Sequence, residues 1–578
     1  MPTFHRPSPR LGSAAGLIIT LLLALGLVGV GAWLLLREKP APAVVPAQPG
    51  NAAPTTNGTG PTGPVKPLAN PPPDPNAPKP IEPALTVPVL PPPGPFQAKD
   101  GVILVDISEY AGYAGLIAAN QGLEPNPESL FTKRFGLQVK LVIGEGEQWG
   151  KLNAGEFAAS ATTADVLAVL GRQWKVTVPA QIGFSRGADG ILVRQGIGSI
   201  NALKGQAVVT SQWNEADFFI RYLAQEAGIA VEILPGIDTK PQADRIGLVF
   251  AEDGEKSCQI FASELQRPQP RLAGAVGWTP FTDTTVAGSG GKARFLVTNR
   301  NLLVVADVLV LNQGWASANP AQAQGLVHGL LLGNRLVRDQ PEAQLALISK
   351  AFKWDGAKTR AELARVHLSN LPENQAFFAG TIDSAGSFGG IYQSAVLAYG
   401  RGLIPDPADP DRFHDGRWLK AIADTGEFKD QKIAIAPIRS GSTQALEGTA
   451  LLSKDIRFLF QANDAALDLN QAENRDYFEV IRRFLQVSPG SQVLLRGHVD
   501  NGQIEFFRKQ GGEALVRKMA LSAMDLSKRR AAEVRRHLIE QLRLDANRIE
   551  TVGRGWEEPL GSVAETNRRV EVQWFTLE

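Results

Sequence analysis

Cysteine is almost missing: Cys258 is the single one in 578 residues. Intramolecular disulfides are thereby excluded, as are zinc or iron–sulfur sites built from clustered cysteines. Histidine is scarce too. The six (His5, His328, His367, His414, His498 and His537) never fall within one helical turn of each other, so no sequence pattern supports a histidine metal site. An excess of one charge is also absent, with 59 Lys plus Arg against 58 Asp plus Glu. Nothing in the overall field would coat nucleic acid. Neither a cofactor nor a nucleic-acid partner is expected.

Apolar residues and proline, by contrast, are concentrated near the start. Residues 11–36 carry no charge and are mostly Leu, Ile, Val, Ala and Gly. At ~1.5 Å per residue such a helix spans a ~30 Å hydrocarbon core with some tilt. Ala41-Pro42-Ala43 mimics a signal-peptide cleavage site, but the preceding Pro40 and the length of the run favour a retained transmembrane helix. Residues 37–97 follow as a Pro-rich spacer. Twenty of the 40 prolines lie between Pro40 and Pro95. Proline removes amide donors and fixes φ, so this segment is expected to be a disordered linker.

From Gly101 the pattern alternates. Val102 to Val105 reads as a strand ending in Asp106, Leu137 to Ile143 as a second, and Val166 to Leu170 as another. Leu116 to Ala119 and Trp149 to Ala154 read as helices, giving βαβ units with a parallel sheet. Gly183-Phe-Ser185-Arg-Gly187 spells a nucleophile elbow, but the following Ile191-Leu-Val193 reads as a strand where a helix is required. Gly288-Ser-Gly-Gly291-Lys292 lacks the first glycine and the Ser or Thr of a phosphate loop and reads as a turn. No enzyme is expected.

Tyr110-Ala-Gly-Tyr-Ala-Gly115, Gly136-Leu-Gln-Val139, Leu152-Asn-Ala-Gly155 and Thr162-Thr163-Ala-Asp165 occur in order. Gly187-Ala-Asp-Gly190, Leu203-Lys-Gly205 and Ala275-Val-Gly-Trp-Thr-Pro280 continue the series. Together they resemble the periplasmic solute-binding proteins of nitrate, sulfonate and taurine ABC transport. The resemblance implies a two-lobed α/β module over residues 98–430. The loops at strand ends then supply the candidate contacts: Tyr110, Tyr113, Thr162, Thr163, Trp213, Trp278 and Thr279. Hydroxyls and helix-start amides favour a small anionic solute.

After a linker at 431–449, residues 450–578 read as an α+β unit. Ile456 to Phe460 reads as a strand and Asp476 to Val487 as an amphipathic helix. Val493 to Asp500 is again a strand, followed by a long helix from Asp525 and a last strand with Val570, Val572 and Trp574. Gly497-His-Val-Asp500, Leu526-Ser-Lys-Arg-Arg-Ala531, Gly553-Arg-Gly-Trp-Glu-Glu-Pro559 and Asn567-Arg-Arg-Val-Glu571 resemble the OmpA-like domain of OmpA, MotB-type and Pal proteins. The resemblance implies binding of the diaminopimelate stem peptide of peptidoglycan, with Asp500 and Arg530 at the matching positions and Asn567 and Arg568 beside them. A carboxylate takes an ammonium and a guanidinium forks a carboxylate, so the pair suits a zwitterion. Ala523 stands where the family often has asparagine, and residues 502–522 form a longer segment than usual.

A peptidoglycan-binding tail places residues 1–10 in the cytoplasm and the bulk in the periplasm, on one inner-membrane helix. The expected role is a noncatalytic envelope protein carrying a sensor or scaffold module, with membrane-protein partners left open. The alternative is the substrate-binding component of an ABC transporter for a small anion.

Overall fold

The computed structural model describes residues 78–144, 148–381, 386–435, 451–488 and 490–575. The expected spanning helix at 11–36, the spacer up to residue 77 and most of the 431–449 linker lie outside these residues. Among the described residues no helix is long and apolar enough to cross a membrane.

The chain lays down β1 (Val102–Ile107), β2 (Gln138–Ile143), β3 (Ala159–Thr163) and β4 (Val176–Ser185) in a first lobe. It crosses into a second lobe for β5 (Asp189–Arg194), β6 (Gln206–Ser211), β7 (Ala230–Ile233), β8 (Arg245–Ala251), β9 (Leu272–Trp278) and β10 (Ala293–Thr298). It then returns for β11 (Ala306–Asn312) and β12 (Val366–Leu368). The first sheet has the order β12-β4-β11-β3-β1-β2 and the second β10-β5-β9-β6-β8-β7. Two lobes joined by two crossovers are the expected α/β module. β1 pairs parallel with β2 and β3, and its alternate residues Ile103 and Val105 are fully buried. The strands that cross between lobes enter antiparallel: β11 pairs with β3 and β4, and β5 with β9 and β10.

Two expectations need correction. Val166–Leu170 is a helix, and the strand is Ala159–Thr163 just before it. All five helical residues are buried, and a helix that is apolar all round has no polar face to reveal its period. The spacer, in turn, ends before residue 97. Residues 81–96 form an ordered strap across both lobes. Ile81 bridges Phe250, and the Ala84 amide donates to Gln212 Oε1 at 2.9 Å in the second lobe. Further along, the Leu90 amide donates to Gln173 Oε1 at 2.9 Å, and Asn153 Nδ2 donates to the Pro91 carbonyl at 2.7 Å, both in the first lobe. Phe96 ends the strap, buried edge-on against Trp315. Proline lacks a donor but keeps its carbonyl, and glutamine and asparagine side chains supply the missing partners.

The C-terminal unit has the sheet order β13-β16-β14-β15, formed by β13 (Leu452–Leu459), β14 (Gln492–Gly497), β15 (Ile549–Gly553) and β16 (Arg569–Phe575). Helix Ala472–Val487 buries Phe478, Ile481, Phe484 and Leu485 on it, with Phe484 stacked on Trp574. The second helix, Ile504–Glu540, starts earlier than the expected Asp525 and breaks at Gly511–Gly512, where Gly512 has φ +62°. This unit docks on the second lobe. The Ile200 amide donates to the Leu451 carbonyl at 2.9 Å, and Arg483 meets the buried Glu226 carboxylate at 2.6 Å.

Candidate functional site

Between the lobes lies a cavity of about 340 Å³. The first lobe contributes the segment after β1 (Asp106 to Tyr110, then Tyr113), the end of β3 (Ala161 to Thr163) and Asp307 of β11. The second lobe contributes Asp189, Asn214, Glu215, Glu252, Asp253, Glu255, Trp278 and Phe281, while Ser185 comes from the crossover. Of the residues expected to contact solute, Tyr110, Tyr113, Thr162, Thr163 and Trp278 line this cavity. Trp278 is seated by Gly254, where a Cβ would lie 2.5 Å from the indole ring. Trp213 and Thr279 do not line it. The Trp213 side chain is buried against Tyr399 with ring centroids 5.6 Å apart, and its backbone has φ +70°. Thr279 donates its hydroxyl to Glu362. Ser185 donates to Asp189, and among the described residues no histidine lines the cavity.

The charge of the cleft is opposite to that of an anion site. Among the described residues, eight lining residues are carboxylic (Asp106, Glu109, Asp189, Glu215, Glu252, Asp253, Glu255 and Asp307), and none is Lys, Arg or His. Helix starts face the cleft, and two of them are capped by side chains. Asp253 Oδ1 accepts from the Lys256 amide at 2.7 Å and Asn214 Oδ1 from the Ala216 amide at 3.2 Å. Burial pushes Asp106 up to about 6, against the Ser160 hydroxyl that donates to its Oδ2 at 2.7 Å. Burial likewise pushes Asp189 up to about 6, against the donors Ser185 and Asn299. It carries Asp307 well above the ordinary carboxylate range despite the Tyr113 hydroxyl at 2.9 Å. Behind the cleft wall, burial raises fully enclosed Asp165 to about 7. These acids escaped the sequence reading because each sits in or beside an apolar run that scans as core. The sequence does carry Asp106 at the close of the first strand, and Asp165 and Asp189 within the 162–165 and 187–190 spellings.

The second constellation lies at the end of β14. Gly497 lets helix Ile504–Glu540 come close, since a Cβ there would lie 1.9 Å from the Ser527 carbonyl oxygen. That approach brings Arg530 under the His498–Asp500 turn. Arg530 is fully buried. Its Nε donates to the Asp464 carbonyl at 2.9 Å, Nη1 to His498 at 3.0 Å and Nη2 to Gln461 at 2.7 Å. The guanidinium also lies over the Phe460 ring, 5.2 Å from its centroid. Three of its five N–H groups are thus used, leaving one on each terminal nitrogen for a ligand. Burial, with Arg568 nearby, lowers Arg530 to about 10, while Asp500 acts in the opposite direction. Arg568 Nη1 stands 3.7 Å from Asp500 Oδ2.

The structure therefore brings Asp500, Arg530 and Arg568 together. Asn567 is spent on its own loop, with Oδ1 accepting from the Leu560 amide and Nδ2 donating to the Gly561 carbonyl, both at 2.8 Å. His498 is buried with Nε2 3.4 Å from Glu571. Burial raises Glu571, but His498 and Arg569 outweigh it and hold the carboxyl down to about 2. In the longer 502–522 segment, Phe507 stacks on Trp556 and closes over the Gly553–Pro559 turn.

Residues 459–573 match the OmpA family. No curated protein matches the chain. Among solved structures it is similar to the periplasmic aliphatic sulphonate binding protein SsuA from Escherichia coli, with 17% identity over 54% of this chain and 96% of that one, at TM-score 0.40. It is also similar to the alkanesulfonate-binding protein SsuA from Xanthomonas axonopodis pv. citri bound to MOPS (14% identity, 54% and 98% covered, TM-score 0.39). A third similarity is to the periplasmic nitrate-binding protein NrtA from Synechocystis (13% identity, 57% and 89% covered, TM-score 0.40).

Proposed function

We propose that this protein, with an OmpA-family domain at residues 459–573, is a noncatalytic component of the bacterial envelope that grips peptidoglycan and carries a solute-binding module. The observation that carries this reading is the convergence of Asp500, Arg530 and Arg568 at the end of β14. Asp500 takes the free ammonium of a diaminopimelate stem peptide, and the two remaining N–H groups of Arg530 take its carboxylate. Arg530 holds its charge against a burial cost, which a ligand carboxylate offsets. Asn567 supports the site through its loop rather than by contact.

Wall binding places this domain in the periplasm, and residues 11–36 then serve as a single inner-membrane helix with residues 1–10 in the cytoplasm. The test is retention of the full chain on purified sacculi. Asp500→Asn removes the ammonium partner with little change in volume and is expected to abolish retention; undiminished retention refutes the assigned site.

A further inference from the structure

We propose that the interlobe cavity takes a small organic amine in its protonated, ammonium form. The inference deepens the preceding reading, since it rests on the two-lobed module being a solute binder. Three observations support it together.

Among the described residues the cavity walls carry eight carboxylic side chains and no basic one, so an ammonium entering it meets acidic groups from both lobes. Acidic residues alone would not make a site. Asp106, however, is 6% exposed and lines the cavity, and its Oδ1 has no hydrogen-bond partner, while its Oδ2 is held by Ser160. A buried carboxylate oxygen without a donor carries the cost of lost hydration, and an N–H from a ligand removes that cost.

Aromatic rings complete the chemistry. Tyr110, Tyr113, Trp278 and Phe281 line the same space. Tyr110 and Tyr113 meet edge to face with centroids 5.3 Å apart. Ring faces attract ammonium groups and cover the apolar carbons that bear them. A bare metal ion fits less well, because among the described residues no three His, Cys, Asp or Glu side chains converge to hold one. The cavity, about 340 Å³, is at the small end of the ~300–1,000 Å³ usual for ligand pockets, which suits an amine of a few carbons better than a peptide.

The test is thermal stabilisation of the full chain by 1,4-diaminobutane, spermidine and phenethylamine, set against nitrate, methanesulfonate, phosphate and calcium. At least one amine is expected to raise the melting temperature saturably, and the anions and calcium are not. Asp106→Asn is expected to weaken the amine by at least about tenfold. Glu252→Gln, at an exposed position where folding is not at risk, is expected to weaken it a few-fold. Stabilisation by an anion or calcium alone overturns the inference. So does no response to any amine, or unchanged affinity in both variants. Sacculus retention of the same samples reads the wall-binding proposal separately, so retention without an amine response removes this inference and leaves that one standing.

Discussion

Arg530→Ala is expected to unfold the C-terminal domain's ligand end before it reports anything about the ligand. The side chain is enclosed and donates to three main-chain carbonyls, those of Gln461, Asp464 and His498. A hydrogen bond from a charged donor contributes about 1.5–3 kcal/mol, and a buried carbonyl left without a donor costs about 1–3 kcal/mol. Truncation orphans all three carbonyls and strips the Phe460 ring of its cation. Bonds sharing one side chain are not additive, so the expected loss is about 3–5 kcal/mol rather than the full sum. A domain of this size has little more than that to spare. Arg530→Lys keeps the charge but reaches at most one or two of the carbonyls, and is expected to recover less than half. Asp500 is partly exposed and forms its long contact with Arg568 at 3.7 Å, so Asp500→Asn is expected to cost under about 1 kcal/mol. Hydrogen exchange of residues 459–500 measures this directly. Arg530→Ala should accelerate exchange around Gln461, Asp464 and His498, while Asp500→Asn leaves it slow. Equal protection in both variants would refute the structural role of the guanidinium, and binding loss in Arg530→Ala would then count as evidence of contact.

Two further outcomes follow from groups outside that domain. Asp165, with Asp189 and Asp217 raising it further by repulsion, holds a proton in the folded protein up to about pH 7 that the unfolded chain releases near pH 4. Stability therefore falls as pH rises through that window, and Asp165→Asn should add on the order of 2–4 kcal/mol at pH 8 and almost nothing at pH 4, read from paired melting curves. Gln173→Ala removes the acceptor of the Leu90 amide and the donor, at 2.7 Å, to the Pro88 carbonyl. Limited proteolysis should then cut within residues 84–92 faster than in the parent, and an unchanged rate would mean that the strap is held elsewhere.

The parts legible in the sequence are those where one physical pattern dominates. Leu137 to Ile143 alternates and forms β2; Tyr477 to Leu485 repeats at helical spacing and forms a helix on the sheet. Val166–Leu170 defeats the same logic because full burial erases the polar face. The strap was illegible for a different reason. Proline-rich composition forbids internal secondary structure, but it says nothing about hydrogen bonds offered by Gln173, Asn153 and Gln212, which are 60 or more residues away. In the cleft, the aromatic and hydroxyl residues of the lining are legible from their loops, whereas its carboxylic residues are not. That carboxylic lining is gathered from the ends of five strands, β1, β5, β6, β8 and β11, while Asn214 and Asp253 each cap one helix-start amide. Trp213 is expected at the cleft from its strand-end loop, whereas its backbone is left-handed and its indole stacks on Tyr399.

Both ends of the described chain are fastened to the same lobe. The strap meets the second lobe first, at Phe250 and Gln212, and the OmpA-family domain docks there through Ile200 and Glu226. A pull between residue 78 and the Asp500 site thus enters through contacts on that lobe, and the later strap contacts at Gln173 and Asn153 tie the first lobe to the same line of load.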